Sequence, residues 1–522
     1  MRGMFGWLVV ASLCVLFSNE SMAAQWYVSG DVSGTWASGD TMIVEGEIRV
    51  PQGSTLRIEP GVQVLFEGRY AFVVEGRLEA RGTRSNMIAF TRAYPTEQSK
   101  WRGFRFIHAE TGSCLERCVI EYARGEGDYP EVRGGGIWID HSSPAIRECR
   151  IMNNYSRNAE SNGAGGGICV DQGSFPVIDG NYICNNQADS GGGIMVGSGS
   201  KPEVINNVIE ENQAFYAGGG IYVASEAESV ITANVIKNNH SEGWGGGGIS
   251  LWSGTGLYGT YSTVCCNVIC NNTATDAGGG IYSRYATSML YNNTVARNQA
   301  ERGGGIYVLT EMDYPPDLCN SIVWDNTAST GPQIHLDPEA NSAMAVSFCN
   351  VMDGWSGSGN INADPLFVHP ASSDYHLYYD SPCLDAGDSS PAVVPAHDFE
   401  GDPRNALDAP DMGADEFYTR LYATGDFTPG GQVWGRLVGL PGTNPVGLII
   451  GTDVLDPPMH THWGELYVSA PWAVVAPLGS IPAEGVMTLE ASLPLSPPAP
   501  YSIPMQAMIG EELTPLVEMD IY

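Results

Sequence analysis

Positive charge is scarce in this chain. Lys and Arg number 25 against 59 Asp and Glu, a formal net charge of -34. A surface of that sign repels phosphate backbones and anionic lipid, which excludes nucleic acid and a membrane surface as expected partners. A helical pattern is lacking too. No stretch carries an apolar stripe at helical spacing, so helical and leucine-rich repeats are poor fits. No Cys-x-x-Cys pair occurs among the 12 cysteines, which disfavours a zinc ribbon or a thioredoxin-type site. After residue 23 no apolar run reads as a transmembrane helix.

What is present begins with an export signal. Arg2 supplies a positive start, "MFGWLVVASLCVLF" an apolar centre, and "SMA" before Ala24 a small-x-small cleavage site. Residues 1–23 are therefore expected to be removed, placing the mature chain outside the cell or on its surface. Cys14 leaves with the signal. Eleven cysteines remain, an odd number, so at least one thiol is free or bonded between molecules.

Glycine is abundant, at 65 residues, and much of it is periodic. Triplets before Ile begin at Gly134, Gly165, Gly191, Gly218, Gly246, Gly278 and Gly303, at spacings of 31, 26, 27, 28, 32 and 25. A second phrase, I/V-x-x-N, keeps step with them and ends at Asn154, Asn186, Asn212, Asn239, Asn272, Asn298 and Asn326. A recurring unit of this size marks a solenoid. Within it "GGGIYVAS" alternates at the two-residue period of a strand. Short strands joined by tight turns and stacked about 4.8 Å apart give a parallel β-helix. Ile137, Ile168, Ile194, Ile221, Ile249, Ile281 and Ile306 then form an interior ladder. The Asn residues form another, bonded side chain to side chain and to backbone at an inward turn.

These phrases resemble those of secreted bacterial right-handed parallel β-helix repeat proteins. They are also similar to polymorphic outer-membrane protein repeats, which pair GGA-I with F-x-x-N. This chain has Gly for that Ala and mostly Ile or Val for that Phe. "GDTMIVEGEIRVPQGSTLRIEPGVQVLFEG" and "WRGFRF" resemble entry coils of such proteins. "ADPLFV", "DYHLYYDSPCLDAGD", "GDPRN" and "PDMGADEF" resemble a closing segment found behind exported β-helices. The likeness covers about residues 40–416. The expected organisation is an N-terminal cap and first coils at 24–110, repeats at 111–350, an Asp-rich closing segment at 351–416 and a small β-sandwich at 417–522. The sandwich follows from dense turn signals between short apolar strands such as "GQVWGRLVGLPG" and "VGLIIGT".

The fold fixes no activity, so function must be sought on outward ladders. The residue after each interior Ile includes Trp138, Tyr222, Tyr282 and Tyr307, with Trp252 two residues beyond Ser250. Stacked rings on a sheet face suit sugar rings, or they pack on one another. Asp140 and Asp171 fall at equivalent positions in successive coils, about 5 Å apart if stacked. With His141 and Arg133 nearby they form a candidate catalytic set, either two carboxylates of a glycosidase or a calcium-assisted polysaccharide lyase of the kind this fold hosts. An ordinary acidic surface is the plainer account. In the closing segment Asp385, Asp388, Asp398 and Asp402, with Glu400, Asp411 and Asp415, offer hard oxygen ligands on turns. Calcium is the cofactor they would suit, though Asp is also an ordinary turn residue.

Three features carry little. "GWGGGG" at 243–248 belongs to the glycine repeat and follows no strand–helix context. His460 and His462 lack a third metal ligand. Cys118 and Cys149 occupy equivalent places in adjacent coils, as buried thiols or as a bridge. Two functions from different classes remain. One is a non-catalytic surface β-helix that binds polysaccharide or cell-envelope glycan, or serves structurally. The other is a calcium-assisted lyase or related enzyme on uronate-containing glycans.

Overall fold

A computed structural model describes residues 24–417, apart from 97–99, 158–162, 255–259, 311–314, 339–343, 379, 391–395, 403 and 405–408. Beyond 417 it describes the backbone of strands between 420 and 521. The signal segment expected at 1–23 lies outside the described residues.

The chain is an all-β parallel solenoid. Each coil carries three strands on three faces. In one coil these are Ile194–Val196, Glu203–Ile205 and Val208–Glu210, followed by a short fourth strand, Gln213–Ala217. The next coil repeats them in parallel register: Ile194 pairs Ile221, Val204 pairs Ile231 and Ile209 pairs Ile236. The second face holds twelve strands. The first and third faces merge in one 23-stranded sheet through the long entry strand Thr41–Val50, which pairs with Gln63–Phe66 at one end and Phe72–Val74 at the other.

A single apolar core runs along the inside. In the entry coils it is aromatic: Phe66 stacks on Trp101 at 4.3 Å, and Phe104 meets Phe72 at 4.9 Å and Phe90 at 4.8 Å. In the repeats it is aliphatic, and all seven Ile of the expected interior ladder are fully buried. Each such side chain contributes roughly 1.5–3 kcal/mol relative to exposure.

The glycine triplet has a different reason at each place. Gly134, the first, has φ +62, a left-handed turn that side chains disfavour. Gly135, the second, has an ordinary φ, but a Cβ there would lie 2.3 Å from the Gly166 carbonyl oxygen of the next coil. Gly136, the third, would meet the Gly167 oxygen at 2.8 Å and the Asn154 amide at 3.0 Å. The triplet is thus where two coils and the Asn ladder come closest.

That ladder forms as expected. Asn212 donates its backbone N–H to Asn239 Oδ1 at 3.0 Å, and its Nδ2 to Asn239 Oδ1 at 3.0 Å and to the Ile183 carbonyl at 2.9 Å. The pattern repeats from Asn154 to Asn326, where Gln333 ends it. A second ladder, not anticipated, turns the corner between the second and third faces. It runs through Asn181, Asn207, Asn234, Asn267 and Asn293. Each member follows a residue at positive φ, such as Asn206 at 56° or Ala233 at 56°. Cys118 and Cys149 prolong this ladder as free, buried thiols: the Cys118 N–H meets Cys149 Sγ at 3.4 Å, and the Cys149 N–H donates to Asn181 Oδ1 at 2.9 Å. The eleven cysteines from Cys114 to Cys383 are all free and buried.

The closing segment adds only a single bridge to the coil, Ile361 beside Asn350. After Asn350–Val351 the chain folds back across the outside of the third face. Its hairpin, Phe367–His369 and Asp374–Leu377, lays Tyr375 and Ala414 on Val268, Cys270 and Ala296, and Leu377, Cys383 and Met412 on Ile322. The Ala414 N–H donates to Thr294 Oγ1 at 3.0 Å and the Asn320 amide to the Asp388 carbonyl at 2.9 Å. Beyond it, strands such as Arg420–Gly425, Gln432–Val438 and Val486–Ser492 form antiparallel sheets. The side-chain packing that would make them a sandwich lies outside the described residues, as do the side chains of His460 and His462.

Candidate functional site

The position after each interior Ile makes one outward ladder along the first face. Paired in register it reads Arg105, Trp138, Cys169, Met195, Tyr222, Ser250, Tyr282, Tyr307 and His335. The side chains do point away from the core, but they are not open. Trp138 is 7% exposed, Tyr222 9%, Tyr282 8% and Tyr307 2%. The glycine turn preceding each strand rides over them: a Cβ on Gly218 would lie 2.7 Å from Tyr222 Cβ, and one on Gly303 2.9 Å from Tyr307 Cβ. Tyr282, Tyr307 and His335 stack face to face at 5.3 Å intervals, so their π faces are spent on one another. Burial raises the pKa of all three tyrosine phenols in the ladder. Trp252 is half-buried, with the Arg284 guanidinium 5.9 Å from its ring.

The four catalytic candidates are brought together, in two different states. Asp140 and Asp171 pair in register. Asp171 is buried and accepts both guanidinium bonds of Arg133, at 2.9 and 2.6 Å, and the indole N–H of Trp138 at 3.0 Å. Such a bidentate buried pair holds the 128–133 loop to the next coil. Burial pushes the thiol of neighbouring Cys169 well above its ordinary pKa. Asp140 turns the other way. It meets His141 Nδ1 at 3.1 Å, and His141 stacks on His108 of the preceding coil at 4.7 Å. His108 and His141 are exposed and both sit at positive φ, at the strand's outer end. The ligand atoms of His108, Asp140 and His141 lie within 4.8 Å of one another, an arrangement able to take a metal ion from solvent.

The four Asp chosen as calcium ligands are mostly engaged with backbone. Asp398 accepts N–H bonds from Glu400 and Asp402 on one oxygen and from Glu416 on the other. Asp388 closes a turn onto Ser390. Asp385 sits at φ 50 and gives its N–H to Asp411 at 2.7 Å. Asp402 is buried at the turn that Asp398 organises. Gly243–Gly248 is the coil turn, as expected.

One group escaped sequence reasoning. Phe215 and Tyr216, on the short fourth strand, meet at 5.0 Å, and Tyr216 stacks on Trp244 of the next coil at 5.6 Å. Trp244 is 56% exposed and Phe215 36%. The Arg157 guanidinium lies 4.3 Å over Phe215. Its trace in the sequence is an aromatic two residues ahead of successive triplets, Tyr216 before Gly218 and Trp244 before Gly246.

Residues 103–264 match the family described as right handed beta helix region. Residues 268–284 match the Chlamydia polymorphic membrane protein repeat. No curated protein matches the chain. The solenoid is thus a right-handed β-helix over the residues matched, and its repeat at 268–284 is similar to that of the polymorphic membrane proteins.

Proposed function

We propose that this β-helix is a non-catalytic module of a bacterial cell surface that holds carbohydrate through rings standing off the solenoid. The repeat match supports the location, since that family is described as a membrane protein. The observation that carries the binding reading is the Phe215–Tyr216–Trp244 group. Three contiguous rings, stacked and edge-on, leave one broad indole in solvent. Such rings bind the apolar faces of sugars while ring N–H and O–H groups reach hydroxyls. The chain's acidity favours neutral over uronate-rich glycans. A calcium-assisted lyase would need Arg133 and Asp171 facing a uronate, and the two are bonded to each other and buried.

The test is a pull-down of the chain from Ala24 with neutral and uronate-rich polysaccharides, with calcium and with chelator. Retention on a neutral glycan, lowered at least tenfold by Trp244→Ala and unchanged by Asp171→Asn, supports the reading. Calcium-dependent unsaturated product, or binding indifferent to Trp244→Ala, overturns it.

A further inference from the structure

The closing segment holds a second convergence of metal-ligating groups, built differently from the exposed histidines. His376 lies on the strand Asp374–Leu377 and is 8% exposed. Its Nδ1 is 2.6 Å from Oδ1 of Asp374, itself buried. A carboxylate on one imidazole nitrogen sets the tautomer and aims the other nitrogen, the outer-shell arrangement of histidine metal ligands. The aimed Nε2 lies 2.9 Å from Glu400 Oε2. Asp415 completes the group. Its Oδ2 accepts the Leu377 N–H at 2.8 Å, while its Oδ1 is buried with no hydrogen-bond partner, in a residue 2% exposed. The three ligand atoms lie within 4.8 Å of one another. Phe399 packs 5.2 Å from the imidazole and walls the site. Arg404, a buried cation of the same segment, is directed to the carbonyls of Asp411, Gly413 and Ala414 and to Glu416.

We propose that His376, Glu400 and Asp415 bind one divalent transition-metal cation of the zinc class. One imidazole and two carboxylates, with a fourth position for water, suit that class. Calcium prefers an all-oxygen set of six or more. The ligands come from three separate stretches of the closing segment, and Ala414 beside Asp415 is bonded to Thr294 of the coil. Bound metal therefore ties the cover to itself and, through that bond, to the solenoid.

The test uses the full chain from Ala24, stripped with chelator, dialysed against zinc and assayed for metal content and melting temperature. About one zinc per chain beyond any bound by a His141→Ala-sensitive site is expected, with a raised melting temperature. Glu400 is exposed, so Glu400→Gln folds, and it should weaken this zinc at least tenfold. His376→Gln should do the same, while His141→Ala leaves it intact. Cobalt in place of zinc should give visible bands that Glu400→Gln alters. Zinc uptake unchanged in Glu400→Gln, uptake abolished by His141→Ala, or uptake of calcium but not zinc would each overturn the proposal.

Discussion

Replacing Asn212 by Ala isolates the contribution of one rung of the first Asn ladder, which runs from Asn154 to Asn326. The side chain makes four hydrogen bonds. It donates to the Ile183 carbonyl and to Asn239 Oδ1, and accepts from the N–H and the Nδ2 of Asn186. All lie in a fully enclosed place, Asn212 being 1% exposed. At about 1 kcal/mol net per bond the loss is roughly 4 kcal/mol, and the stranded Asn186 N–H adds to it. Contacts in a solenoid join neighbouring coils only, so the damage should be local. Urea unfolding followed by fluorescence measures the loss. Hydrogen exchange should show lost protection centred on the coils containing Asn186 and Asn239, with the entry coils unchanged. A loss below about 1 kcal/mol, or exchange raised evenly along the chain, would refute the view that this first ladder holds neighbouring coils together.

Gly219→Ala separates sterics from backbone conformation, because Gly219 has no positive φ. Its new Cβ would lie 2.5 Å from the Gly247 oxygen and 2.6 Å from that of His240, both backbone. A loss of at least about 2 kcal/mol is expected in urea unfolding. Gly254→Ala, whose Cβ would meet Ser225 Oγ at 3.4 Å and Trp252 Cη2 at 4.0 Å, both ordinary contacts, should stay within about 0.5 kcal/mol. Burial pushes the Asp411 carboxyl up to about 6, above the ordinary value near 3.9. A raised carboxyl stabilises the fold below its unfolded pKa, and that help is lost as pH rises through the folded one. Between about pH 4 and 6 its share should fall, by at most roughly 3 kcal/mol. Melting curves of Asp411→Asn should lack that slope.

The glycine and asparagine phrases made the solenoid readable, because each is demanded by close approach between coils and nothing else suits. Alternation also told which side chains leave the core. It could not tell what lies over them, and Tyr282 and Tyr307 are outward yet covered. The second ladder was hidden because its ends are Cys118, Cys149 and Ser321, not Asn. The cover over the third face had a faint trace. Outward residues there read Arg150 and Tyr182 in open coils, then Val268, Thr294 and Ile322 beneath the closing segment. His376 stands in "DYHLYYDSPCLDAGD", a phrase that marks only the closing segment, and folding alone brings Glu400 and Asp415 to it.

Consecutive rungs of the first Asn ladder are separated by unequal lengths of chain. Asn186 and Asn212 are 26 residues apart and Asn239 and Asn272 are 33, yet the bonds joining each pair measure 2.9–3.0 Å. The rail fixes pitch and ignores contour length. Insertions and deletions between rungs therefore leave register untouched, and a lineage carrying this scaffold is free to rewrite its outer loops while every coil stays in step.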